Sequence, residues 1–274
     1  METGDYKEMT AIKMVAIDLD DTLLRDDITI SEHTIRTVGL ARKKGVEVVI
    51  ATGRMFSTAR PYGKLLKLGD IPMMLYSGAL IQTVDTGRIL YHKPIGLEAA
   101  TKLLALAKER GWFLQTYIDD VVRVPYYNHY IEHYENITGT KALVTGDSFY
   151  VPCGQPSKML VHGTKAELEQ IKTEIEAAIP GVFKLMRSKD TMLEVIQRGV
   201  SKGTGLHQLC NLFHIELEQT LAIGNSQNDI AMLEAAGISV AVANAEPEIR
   251  KAADYVTTSN NEDGVAAAIE KYIL

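Results

Sequence analysis

The chain has 274 residues, 46% of them hydrophobic and 23% charged, with a formal net charge of -6. Such a length and composition fit one large α/β domain, or a medium domain carrying a smaller one, and exclude the disordered, collagen-like and fibrous classes. The acidic balance repels polyanions, no basic patch offsets it, and no apolar run reaches membrane-spanning length, so neither nucleic acid nor a membrane is expected as a partner.

Residues 1–13 are polar and acidic, without the apolar stretch of a signal peptide. A cytoplasmic protein is expected, and Asn136-Ile137-Thr138 is then an unused sequon. The apolar run 14–19 reads as a buried strand that leaves Asp18 and Asp20 at its carboxyl end. Ser31 is placed to cap a helix running to about Lys44, with Gly45 closing it. The cations at 42–44 read as a solvated helix end. The β-branched run 46–51 completes a βαβ unit, and 73–76 makes a third strand.

Between about Thr83 and Glu194 the pattern is more varied. A helix is expected over 97–110, a strand near 158–161 and a helix over 165–178. The last opens with Thr164 and Glu167 in capping-box spacing and shows one apolar face through Leu168, Ile171 and Ile175. Tyr127, Tyr130 and Tyr134 recur at helical spacing and read as a packed helix face. From Ser201 the α/β alternation returns: a helix to about Phe213, a strand at 221–223, a helix to Ala236 and a strand at 239–242. Pro247 then opens a short helix, ahead of a strand near Tyr255 and a closing helix. The implied fold is α/β, a doubly wound, Rossmann-like parallel sheet (1–82 and 195–274) interrupted by an inserted α/β domain (83–194). Cys153 and Cys210 form no Cys-x-x-Cys pair, so neither a disulfide framework nor a zinc site is indicated.

Open parallel sheets bind ligands beyond the carboxyl ends of their strands. Asp18 and Asp20 follow the first strand, Thr52, Gly53 and Arg54 the second, and Asn225, Asn228 and Asp229 a later one. Lys202 stands at a helix start, where a cation is off-pattern for the dipole. Taken singly, these are a polar loop, a turn, an N-cap motif and a solvated lysine. Together they supply paired carboxylates, a hydroxyl beside a glycine that lets an anion approach backbone N–H groups, a fixed cation and hard oxygen donors.

Their order, Asp-x-Asp-x-Thr-Leu-Leu, Ala-Thr-Gly-Arg, Lys-Gly and Gly-x-x-x-Asn-Asp-x-x-Met-Leu, resembles the haloacid dehalogenase superfamily, and in particular its Cof-type phosphatases with a type IIB cap. The resemblance covers the chain from Met14. It implies a magnesium-dependent phosphatase of small phosphorylated metabolites, working through an aspartyl-phosphate. Asp18 would be the nucleophile, Asp20 the general acid and base, and Thr52 and Lys202 the phosphate ligands. Gly53, Arg54 and Asn228 would lie along the substrate, and Asp18, Asp20, Asn225 and Asp229 around Mg2+. A phosphomutase or phosphotransferase shares every motif, and a degenerate phosphate-binding member is the harsher alternative. Three positions depart from the family pattern: Asp21 stands where glycine is common, Ser77 where asparagine is, and Asn225 where an aspartate helps to hold the metal. The last removes one negative charge, so weaker metal affinity is expected.

Overall fold

An apolar run with no polar face becomes a strand covered on both sides, and β1 (Met14–Asp18) is buried at every position. The computed structural model describes residues 11–189 and 191–274, so the first ten residues of the polar N-terminal segment lie outside the described part. After β1 come α1 (Glu32–Lys43), β2 (Glu47–Ala51), α2 (Phe56–Leu65), β3 (Pro72–Leu75), β4 (Leu80–Thr83) and β5 (Ile89–His92). The middle of the chain forms α3 (Leu97–Arg110), β6 (Phe113–Ile118), β7 (Val121–Val124), α4 (His129–Thr138), β8 (Leu143–Val144), β9 (Lys158–His162), α5 (Lys165–Ala178), β10 (Phe183–Lys189) and β11 (Met192–Gln197). The last part contributes α6 (Lys202–Phe213), β12 (Thr220–Gly224), α7 (Ile230–Ala235), β13 (Ile238–Ala241), α8 (Pro247–Ala252), β14 (Tyr255–Val256) and α9 (Gly264–Tyr272).

The chain divides into two units. One comprises the chain up to Ala51 with Gly63–Met73 and Lys202–Leu274, the other Thr52–Tyr62 and Met74–Ser201. In the first, β14, β13, β12, β1, β2 and β3 lie side by side in that order. Strand β1 pairs in parallel with β12 on one side and β2 on the other, and β12, β13 and β14 continue in parallel. The chain builds outward from β1 in one direction first and in the other later. The crevice beyond the carboxyl ends of β1 and β12 is therefore the topological switch point of a doubly wound sheet.

Local signals end the elements where chemistry requires. Ser31 accepts the Thr34 N–H and starts α1, and Gly45 adopts φ +83° just past its end. Of the three cations before that glycine, two are tied down. Arg42 donates to the Lys67 and Leu68 carbonyls, and Lys44 to those of Ile273 and Leu274. The helix end is solvated as expected at the exposed Lys43 and Lys44, and its cations in addition tie down a loop and the C-terminus.

The second unit contains the antiparallel pair β4 and β5 and a six-stranded sheet in the order β10-β11-β9-β6-β7-β8, antiparallel except between β7 and β8. Helices α3 and α5 cover one face through Leu103, Leu104, Ala107, Leu168, Ile171 and Ile175, against Leu114, Met159, Val161, Leu193 and Val195. The Thr164–Glu167 capping box at the start of α5 is present as expected. The tyrosine expectation needs correction. Asn128 is the N-cap of α4, so Tyr127 lies outside the helix and is 53% exposed, while Tyr134 is buried. Cys153 is exposed and Cys210 buried, with no disulfide between them.

Candidate active site

A strand's hydrogen-bonding ends with its last ladder pair, and the side chain there faces whatever the next turn leaves open. Asp18 is that residue in β1, opposite Ala51 of β2, and it is 5% exposed. The chain then makes a wide turn over Leu19–Leu23, in which Asp20 is extended and Asp21 takes φ +56°. This left-handed geometry explains why glycine suits position 21, since an aspartate there costs about 1 kcal/mol. The Asn244 amide donates to the Asp21 carbonyl at 2.8 Å and holds the turn. Asp20 is exposed, yet close enough for its charge to act on Asp18.

Lys202 is the first residue of α6 and is fully buried. Its ammonium donates to Asp18 Oδ1 and, at 2.6 Å, to Asp229 Oδ1. Two close approaches bring these groups together. A Cβ on Gly203 would stand 2.2 Å from the Ala231 carbonyl oxygen, and one on Gly224 would stand 2.7 Å from Asp229 Cβ and Cγ. Only glycine lets the start of α6 come so close to α7, and the end of β12 so close to Asp229.

Asp229 Oδ2 accepts the backbone N–H groups of Asn225 and Ser226 at 3.0 and 3.1 Å. One carboxylate thus closes the capping box of the turn with Ser226 and also pairs with Lys202. The Asn225 carbonyl accepts the Glu246 N–H at 3.0 Å, and the Asn228 amide oxygen accepts the Ser226 hydroxyl at 2.8 Å. The amide oxygen of Asn228 is thus engaged within its own loop, which leaves its amide NH2 as the end that a ligand would meet.

Two buried carboxylates facing one ammonium leave net negative charge out of water. Burial first, and then Asp229, push Asp18 up to about 7, while Lys202 pulls the other way. Burial alone would lower Lys202, but the two carboxylates outweigh it and hold the ammonium protonated. Excess negative charge among oxygen donors suits a hard divalent cation. Asp229 has used three of the roughly four lone-pair sites of a carboxylate, so it retains one. Among the described residues no group of three His, Cys, Asp or Glu side chains is gathered at metal-binding distances.

Thr52 directly follows Ala51, the ladder partner of Asp18. It is fully buried; its N–H donates to the Met74 carbonyl, its carbonyl accepts the Ser77 N–H, and its hydroxyl accepts the Arg54 N–H at 3.1 Å. A Cβ on Gly53 would lie 3.3 Å from Ser77 Oγ. Ser77 has φ +56°, a conformation that asparagine tolerates better than serine. Arg54 lies over the Tyr62 ring, 5.3 Å from its centre.

Sequence reasoning missed Lys158. It is buried, pairs with Glu194 at 3.2 Å, donates to the Gly53 carbonyl at 3.2 Å and lies 5.0 Å from the Tyr117 ring centre. Its one signal was a lysine opening an apolar strand, which on its own reads as an exposed strand end.

The haloacid dehalogenase-like hydrolase family matches residues 15–269 of this chain. The 5-amino-6-(5-phospho-D-ribitylamino)uracil phosphatase YcsE of Bacillus subtilis is 30% identical, with 98% of each chain covered. A second Bacillus subtilis phosphatase of the same description, YitU, is 28% identical over 99% of each. Among solved structures, a haloacid dehalogenase-like hydrolase from Bacteroides thetaiotaomicron superposes with a TM-score of 0.87 at 27% identity, covering 95% of this chain and 99% of its own.

Proposed function

The chain belongs to the haloacid dehalogenase-like hydrolases, and from that membership we propose that it is a phosphatase that hydrolyses small phosphate monoesters, sugar phosphates or similar metabolites, through an aspartyl-phosphate on Asp18. The observation that carries the reading is the convergence of Asp18, Lys202 and Asp229 in one buried cluster at the switch point of the sheet.

Asp18 is the nucleophile: ionised, it attacks phosphorus as the ester oxygen departs. Lys202 offsets the charge of Asp18 and of the incoming phosphoryl oxygens, which would otherwise repel each other. Asp20, on the exposed side of the turn, donates a proton to the leaving oxygen. It then takes one from the water that hydrolyses the acyl phosphate. The Thr52 hydroxyl and the backbone at Gly53 bind phosphoryl oxygens, with Arg54 and Asn228 along the substrate. Asp229 fixes Lys202 and the 225–226 backbone in place. Asp18, Asp20, Asn225 and Asp229 would hold Mg2+, which supplies charge neutralisation at the phosphoryl group when bound. With asparagine at 225 the site has one carboxylate fewer than the family pattern, so substrate phosphate is expected to strengthen metal binding, and reciprocally.

The discontinuous core (1–82 and 195–274) and the inserted type IIB cap (83–194) belong to the same proposal. A second sheet, β6 to β11, built from one uninterrupted stretch supports it. The test is a screen of sugar phosphates, nucleotides, pyridoxal phosphate and 5-amino-6-(5-phospho-D-ribitylamino)uracil for inorganic phosphate release, with and without magnesium. Release that requires magnesium and is lost in Asp18→Asn is expected. Transfer of the phosphoryl group to a second hydroxyl, without free phosphate, would replace hydrolysis by phosphotransfer.

A further inference from the structure

The second unit holds a cavity of about 490 Å3 whose wall includes Trp112, Phe113, Tyr126, Tyr130 and His162. That volume lies within the range of small-molecule sites, about 300–1,000 Å3. The rings are mutually ordered. Phe113 and Tyr130 stack at 6.0 Å and 23°, Tyr130 and His162 at 5.1 Å and 29°, and Tyr126 meets Phe113 at 5.2 Å. The cavity is separate from the Thr52-Gly53-Arg54 strand end. Lys158, which contacts Gly53, is at the opposite end of β9 from His162, roughly 13 Å away at the usual rise of a strand.

One polar group in this wall is unusual. His162 is 4% exposed, and its Nε2 lies 2.8 Å from Gln115 Oε1. Gln115 gives its own amide N–H to Tyr117 Oη at 2.6 Å, so its oxygen faces the imidazole and fixes the proton on Nε2. Burial, reinforced by His129 and His133, lowers His162 to about 4, which keeps the ring neutral near pH 7. Nδ1 is then a bare acceptor that meets no donor among the described residues. Leaving a buried acceptor unmet is costly, and a phenylalanine would fill the same stack without that cost. The half-buried Tyr130 stacks on His162, and both rings line the cavity.

The charge of the lining selects among planar ligands. Arg110 is the permanent cation of the described wall, and it is engaged by Glu174 at 3.3 Å, while Glu167 lies beside it in the lining. A phosphate would find no uncommitted cation among these residues. We propose that the cavity is a second ligand site that binds an uncharged purine or pyrimidine nucleoside, its base stacked in the aromatic wall and a base N–H donating to His162 Nδ1. The assignment does not rest on the phosphatase chemistry.

Trp112 is the chain's single tryptophan, so its emission reports occupancy of this wall directly. The full chain is titrated with adenosine, with uridine and, as a control, with ribose. A saturable change with at least one nucleoside and none with ribose is expected. His162→Phe, which keeps the stack and removes the acceptor, should weaken binding at least ~10-fold, and Tyr130→Leu should do the same by removing the stacking face. Asp18→Asn should bind as the parent does, which separates this site from the catalytic one. The absence of a saturable change with either nucleoside overturns the proposal. So does a ribose response equal to theirs, or undiminished binding in the folded variants.

Discussion

Replacing Lys202 by methionine isolates the electrostatic role of the buried ammonium, because the side-chain stem is largely preserved while the charge is lost. Lys202 and Asp229 are wholly buried and Asp18 nearly so, and the ammonium is the shared partner of both carboxylates. Removing one member of a buried ion pair costs about 3–5 kcal/mol, and here two carboxylates lose their partner at once. Part of this cost can be relieved by protonation. Asp18 is already pushed up to about 7 with Lys202 present, and losing the ammonium that lowers it moves it higher still. An aspartate with a raised folded-state pKa keeps its proton in the fold and releases it on unfolding above about pH 4. Its contribution therefore favours the fold at low pH, and stability falls as the pH rises toward the folded-state value, by roughly 1.4 kcal/mol per unit. Urea denaturation followed by circular dichroism in metal-free buffer, at several values between about pH 5.5 and 8.5, measures both effects. Lys202→Met should be several kcal/mol less stable than the parent near pH 8 and closer to it near pH 5.5. Equal stability at both pH values would refute the view that Lys202 compensates two buried charges.

Gly224→Ala should displace Asp229, since the new Cβ would stand 2.7 Å from its carboxyl carbon. An activity loss of at least ~100-fold with a stability cost of about 1–3 kcal/mol is expected, and steady-state kinetics with thermal melts checks both. His162, lowered from 6.5 to about 4, is neutral in the fold while the unfolded chain takes up a proton below pH 6.5. Stability should therefore fall as pH drops from 6.5 toward 4, by at most about 3 kcal/mol, and His162→Phe should flatten that part of the profile in acid-titrated urea melts.

The elements of the first unit were legible because their signals are local. An apolar run ending in Asp18, the Ser31 cap, the Gly45 stop and Pro247 at a helix start each have a cause within a few residues. The candidate site residues were singled out by their order, and the structure shows Asp18, Lys202 and Asp229 in contact across 184 and 27 positions of chain. What stayed hidden depends on contacts between distant segments. Spacing offers Asp229 as a helix cap or a metal carboxylate, and only the folded chain shows it closing the capping box with Ser226 and pairing with Lys202. Arg42 reads as solvated until the Lys67 and Leu68 carbonyls are brought beneath it. Lys158 and His162 open and close the same strand, and only the register with β6 and β11 shows one paired to Glu194 and the other joined to Gln115. The position of Tyr127 was misread because helical spacing alone does not reveal that Asn128 starts the helix.

Covalent phosphorylation of Asp18 during turnover is tested most directly by mixing enzyme, magnesium and the best substrate of the screen, quenching in acid on the millisecond scale, and mapping the phosphoryl group by peptide mass spectrometry. An acid-stable, base-labile phosphoryl group is expected on the peptide that contains Asp18, formed before free phosphate appears and absent from Asp18→Asn. A phosphoryl group on another residue, or undiminished phosphate release by Asp18→Asn, would contradict it.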